Sequence, residues 1–220
     1  GRDGALKLLD RGMPDVRRGL GGKVLDMAAF FRDAFADYPK VREFVPIYHP
    51  DLQGPMDVCE LLWGSDLFVS TVDEPDEVHA LLSLICDTYS AVLREFARIA
   101  PFAPDYNGHW GWLLPGAIML RDDSAMNFSP AMFDEFIRPY DERLLKEWGG
   151  GSVHYCGRGD HFVPSMATME GLKAINLSQP HLNDMDVIYK ATVDRGIFLH
   201  MPGDEARRVA ATRNKPHPRP

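Results

Sequence analysis

From residue 116 onward the hydrophobic positions settle into a regular rhythm. Short apolar runs over 116–121, 152–156, 173–177 and 197–201 alternate with segments of helical period over 129–148, 162–170 and 184–195. The short runs read as strands and the longer ones as helices. Ser129-Pro130 supplies an N-cap and a first-turn proline, Gly171 and Gly196 stand where helix C-caps belong, and Pro139 is expected to kink its helix. Strands alternating with helices predict an α/β protein with a parallel sheet and right-handed crossovers. A TIM-type (β/α)8 barrel and a doubly wound sheet are the two candidates, and the absence of a dinucleotide-type glycine pattern after any strand weighs against the second.

The first half is more helical. One short helix is expected within 1–22, followed by a second over 23–38, where Val24, Met27, Ala28, Phe31 and Phe35 recur at helical spacing until Pro39 stops them. A short strand over 44–48 then runs into His49-Pro50-Asp51-Leu52-Gln53-Gly54-Pro55, polar groups among rigid turn residues that suit a pocket wall or a simple turn. A helix over 56–62 carries Cys59. Asp73-Glu74-Pro75 opens a long helix whose apolar stripe is Val78, Leu81, Leu82, Ile85, Tyr89, Val92, Leu93 and Phe96, with Cys86 beside it. Residues 106–112 form an aromatic, glycine-rich loop, read as a lid or core anchor whose His109 and tryptophans are also candidates to line a site.

Composition narrows the classes. The chain has 220 residues, 45% apolar and 25% charged, enough to bury one sizeable core, so one domain over 1–220 is expected. A net charge of -8 with scattered basic residues argues against nucleic-acid binding. No apolar run approaches the roughly 20 residues of a membrane span, and no N-terminal signal pattern is visible, so a cytoplasmic location without membrane partners is expected. Three cysteines, sparsely spread, form no disulfide framework. The lack of an initiator methionine and the off-pattern basic, proline-rich tail at 212–220 lead to the expectation of a fragment.

Chemistry concentrates at the strand ends, where a (β/α) barrel places its active site. On a strand, His154 and Cys156 point the same way, and a histidine nitrogen and a cysteine sulfur bind zinc at about 2.0 to 2.3 Å. The plain alternative is a core histidine beside a buried thiol. Around this pair the predicted strand ends place Asp51, Gln53, Asp122, Asp123, Arg158, Asp160, Asn176, Gln179 and His200. Of these, Gln53, Asp122, Asp123, Arg158, Asp160, Asn176 and Gln179 are the candidate substrate-binding residues.

Gln53-Gly54-Pro55, Ser129-Pro130 with Phe136-Ile137-Arg138-Pro139-Tyr140, His154-Tyr155-Cys156-Gly157 and Asn176-Leu177-Ser178-Gln179-Pro180 together resemble the uroporphyrinogen decarboxylase superfamily, over roughly residues 40–203. The resemblance implies a TIM barrel, here incomplete at both ends, and one of two chemistries. In the methyltransferase branch, which moves a methyl group between a corrinoid and a thiol, His-x-Cys and a later cysteine hold zinc. His154 and Cys156 match the first two ligands. No cysteine follows Cys156 in this sequence, so the later ligand is expected either in a segment lost by truncation or in a substitute, with Cys59, His200, His181 and Asp122 as possibilities. The implied partners are a small-molecule substrate, either a thiol or carboxylate-rich, and a corrinoid protein. The alternative is a metal-free carboxy-lyase of porphyrin biosynthesis, which would need an arginine-rich pocket, whereas these strand ends offer only Arg121 and Arg158. A third reading is a non-catalytic, partial barrel.

Overall fold

The computed structural model describes residues 1–212. The first half is helical: α1 (Arg2–Arg11), α2 (Gly19–Ala34), α3 (Pro39–Phe44), α4 (Pro55–Trp63), α5 (Leu67–Asp73) and α6 (Pro75–Ile99). Proline occupies the first turn of α4 and of α6, where its missing N–H costs nothing, and Asp76 and Glu77 add favourable charge at the α6 N-terminus. The α6 stripe is buried as its period predicts, from Val78 to Phe96, whereas Val92 is half-buried.

A hairpin of β1 (Tyr106–His109) and β2 (Trp112–Pro115) comes next, followed by β3 (Ile118–Arg121), a 3-10 turn at Asp123–Asn127, α7 (Pro130–Phe136) and α8 (Arg138–Glu147). The remaining elements are β4 (Gly151–Tyr155), α9 (Val163–Met166), β5 (Leu172–Leu177), α10 (Met185–Ala191), β6 (Phe198–His200) and α11 (Gly203–Thr212). Strands β3 to β6 form one parallel sheet in sequential order, each reached from the last through helices. The α/β expectation holds at this level: a parallel four-stranded sheet with helices. The order shows no reversal among the described residues.

Three expectations need correction. The strand expected over 44–48 is absent, because Pro46 and Pro50 have no N–H to give a ladder; α3 ends at Phe44 and irregular chain follows. The loop at 106–112 is largely hairpin. The helix expected over 162–170 is only the four-residue α9, since the Thr168 hydroxyl bonds the Ser165 carbonyl at 2.7 Å and draws the backbone into a turn. Further signals read differently: α2 ends at Ala34 and Pro39 opens α3 instead of stopping the earlier helix, Gly171 caps no helix because α9 ends at Met166, and α10 ends at Ala191 with a 3-10 turn leading to Gly196. Other local signals hold. Ser129 caps α7, the helix breaks at Ile137 ahead of Pro139, and Asp184 caps α10 through the Asp186 and Val187 amides. The tail at 212–220 lies outside the described residues from 213 on.

The core runs continuously from α1 and α4 through α6 to the outward face of the sheet, with Ile118, Leu120, Val153, Tyr155, Ile175 and Leu177 alternating toward the helices. No helix among the described residues is long and apolar enough to cross a membrane. The free edge of β3 is covered by the chain before α4: the Met119 amide donates to His49 Nε2 at 3.0 Å, and the Gly54 amide donates to the Arg121 carbonyl at 2.8 Å. A Cβ at Gly54 would stand 2.1 Å from that carbonyl oxygen and 2.8 Å from Asp122 Oδ1. Backbone cannot move aside cheaply, so Gly54→Ala is expected to lower stability by about 1–3 kcal/mol in a denaturant melt.

Candidate metal centre at the strand ends

Parallel register sets four polar side chains in one row. Arg121 pairs with His154, His154 with Asn176, and Asn176 with His200, one residue from each strand of the sheet. Period-two alternation turns all four to the face away from the helices.

Hydrogen bonds fix the two histidines. His154 Nδ1 bonds Asn176 Oδ1, and Asn176 Nδ2 bonds His200 Nδ1 at 2.5 Å. An amide oxygen only accepts and an amide nitrogen only donates, so the His154 proton sits on Nδ1 and its Nε2 carries a lone pair. That lone pair faces Cys156 Sγ at 3.4 Å and Asp123 Oδ1 at 3.7 Å. Asp123 is brought there by the 3-10 turn after β3 and also accepts the Cys156 amide at 2.8 Å. Ligand atoms of Asp123, His154 and Cys156 all lie within 4.8 Å of one another. One nitrogen, one sulfur and one carboxylate oxygen form a donor set that suits zinc, leaving a fourth position open. Burial lowers the pKa of His154, which keeps it neutral and able to ligate. Burial also raises the Cys156 thiol, so its deprotonation calls for a cation nearby.

Beside this group a buried chain of polar contacts supports the row. His49 Nε2 accepts the Met119 amide, which puts its proton on Nδ1, bonded to the Pro50 carbonyl at 2.8 Å. His109 Nε2 must then donate to His49 Nε2 at 3.1 Å, and its Nδ1 accepts from Arg121 Nη2 at 3.2 Å. Desolvation pushes His49 to about 4 and His109 to about 2, so both are neutral. Arg121, 2% exposed, also pairs with Asp51 at 2.5 Å and donates to the Leu52 carbonyl.

The other sequence candidates fall in several places. Asn176 holds His154, and Gln179 accepts the Gly157 amide, so both support the metal group's surroundings. Arg158 is exposed and pairs with Asp160 at 2.8 Å, while Asp160 also accepts the Asp184 amide. Gln53 lines a cavity of about 570 Å³ with Asp57, Glu60, Asp123 and Ser124. Asp122 is fully buried on the far side of β3, beside Asp141. Of the substitutes for a third ligand, Cys59 is buried in the core with its thiol pushed up to about 12, His200 is engaged by Asn176, and His181 lies in the 3-10 turn after β5. None joins His154 and Cys156. Asp123 does, although its sequence assignment was to substrate; its signal was its place directly after a strand.

The fold and site thus define an α/β protein with a parallel sheet and a metal-capable Asp, His and Cys group at its strand ends. No family model and no curated protein sequence matches the chain. Among solved structures it is similar to a methyltransferase from Methanosarcina mazei, at 14% identity and a TM-score of 0.57, over 82% of this chain. The match covers 48% of that methyltransferase, so this chain spans about half its length. At that identity the likeness is one of fold.

Proposed function

We propose that the protein is a zinc-dependent methyltransferase of the uroporphyrinogen decarboxylase superfamily, moving a methyl group between a corrinoid and a thiol, with the described strands forming part of a (β/α)8 barrel. The observation that carries this reading is the convergence of Asp123, His154 and Cys156 at the strand ends. Those three residues would hold the zinc. When bound, zinc would keep an acceptor thiol in its nucleophilic thiolate form near neutral pH. Asn176 holds the His154 ring with Nε2 toward the centre. A fold shared with a methyltransferase is compatible with this chemistry, and the corrinoid would arrive on a partner protein.

A metal-free carboxy-lyase is less well supported, because Arg121 and Arg158 are both paired with aspartates and neither is free for a substrate carboxylate. Elemental analysis of the purified protein is expected to find one zinc per chain, falling to a trace in Asp123→Asn. Protein that holds no metal yet decarboxylates uroporphyrinogen would reverse the assignment.

A further inference from the structure

Two residues join β1 to β2, Trp110 with φ 51° and Gly111 with φ 82°. Positive φ at both centres is the signature of a type I′ hairpin turn, which favours Asn-Gly because a larger side chain is crowded there. Trp110 is the one non-glycine residue with positive φ among the described residues. Hydrophobic burial does not account for it, since the residue is 44% exposed.

The turn delivers an indole to the metal centre. The Trp110 ring lies 5.0 Å from the His154 ring, centroid to centroid. The Arg121 guanidinium stacks over it at 4.5 Å, and its Nε1 donates to Asp51 at 3.2 Å. Arg121 in turn is locked by Asp51, His109 and the Leu52 carbonyl, so the indole is braced from a buried base while part of it stays open. Strain that persists because its surroundings hold it in place is a recurrent mark of a ligand-contacting position.

We propose that Trp110 is a specificity-determining residue of the Asp123–His154–Cys156 centre, its exposed indole forming the wall against which the alkyl chain of a bound thiol packs. This rests on the zinc and thiol reading above and adds a class of thiol to it. An uncharged chain fits these surroundings. Arg121 already has its counterion, and the cavity on the other side of Asp123 is lined by Asp57 and Glu60, which repel an anionic tail.

Cobalt(II)-loaded protein reports thiol binding through sulfur-to-metal charge-transfer absorption. Titration with 1-propanethiol and with 3-mercaptopropionate is expected to show about tenfold tighter binding of the uncharged thiol in the wild type. In Trp110→Asn, cobalt affinity should stay within about twofold and propanethiol affinity should fall about tenfold, while Trp110→Phe retains most of it. The melting point of metal-free Trp110→Asn should be no lower than that of the wild type, because asparagine suits the turn. Unchanged propanethiol affinity in Trp110→Asn would overturn the proposal. A joint loss of cobalt binding and thermal stability would do so too, by marking Trp110 as a structural anchor. A wild type that takes up no cobalt removes the zinc reading and this one together, whereas cobalt uptake with no effect of Trp110 on thiols removes only this one.

Discussion

Cys156→Ser is expected to abolish stoichiometric zinc binding. Serine keeps the size and the backbone but offers a hydroxyl in place of a thiolate, and the remaining His154 and Asp123 are one ligand short of a catalytic zinc site. Affinity should fall by on the order of a thousandfold, more than the 10–100-fold typical when an outer hydrogen-bond partner is removed. Asn176→Ala supplies that smaller reference effect, because it frees the His154 ring without touching a ligand. Competition with a chromophoric chelator measures all three proteins. Equal losses in the two variants, or no loss in Cys156→Ser, would place the metal elsewhere.

Asp141→Asn is expected to stabilise the protein, and only above acid pH. Asp122 and Asp141 are fully buried side by side, and among the described residues no other group hydrogen-bonds their four carboxyl oxygens. Desolvation raises Asp141 to about 7, and desolvation with the neighbouring Asp141 raises Asp122 as well. The unfolded chain gives up the Asp141 proton near pH 4, whereas the folded protein keeps it until about 7. Stability therefore falls as pH rises from about 4 to about 7 through Asp141, and falls further above that through Asp122, whose carboxyl is raised as well. An asparagine amide can donate to Asp122 at every pH, so the variant should gain roughly 2–4 kcal/mol at pH 8. The gain should vanish by about pH 4. Thermal melts across that range test it, and a difference independent of pH would mean that the carboxyl pair does not hold the extra proton.

The fold was legible where one pattern dominated. Short apolar runs marked β3 to β6 to within about two residues, and Pro75, Ser129 and Gly196 punctuated the helical segments as their backbone preferences require. Legibility failed where side chains took over the work of the backbone. Residues 44–48 look like a strand, but it is the His49 ring that meets the β3 edge. The hairpin escaped notice because its turn is Trp-Gly where Asn-Gly would have announced it. At the site, spacing made the His154–Cys156 pair geometrically fit to share a metal, but it took the strand-end setting and the family resemblance to favour that over a core histidine beside a buried thiol. Asp123 as their companion was not, since Asp122 and Asp123 look alike in sequence. Only the 3-10 turn sends one to the metal-facing side and leaves the other in the core.

The two borders of the sheet differ in how they meet foreign chains. At β3 a histidine ring and a glycine amide have already taken the Met119 amide and the Arg121 carbonyl. At β6 only three residues are in ladder, and no further strand is paired to them among the described residues, while Phe198 is 38% exposed. Within the described residues an extended strand, whether a further strand of the same sheet or a foreign peptide, therefore finds its free ladder at β6, and a lysine or proline there would discourage a foreign one.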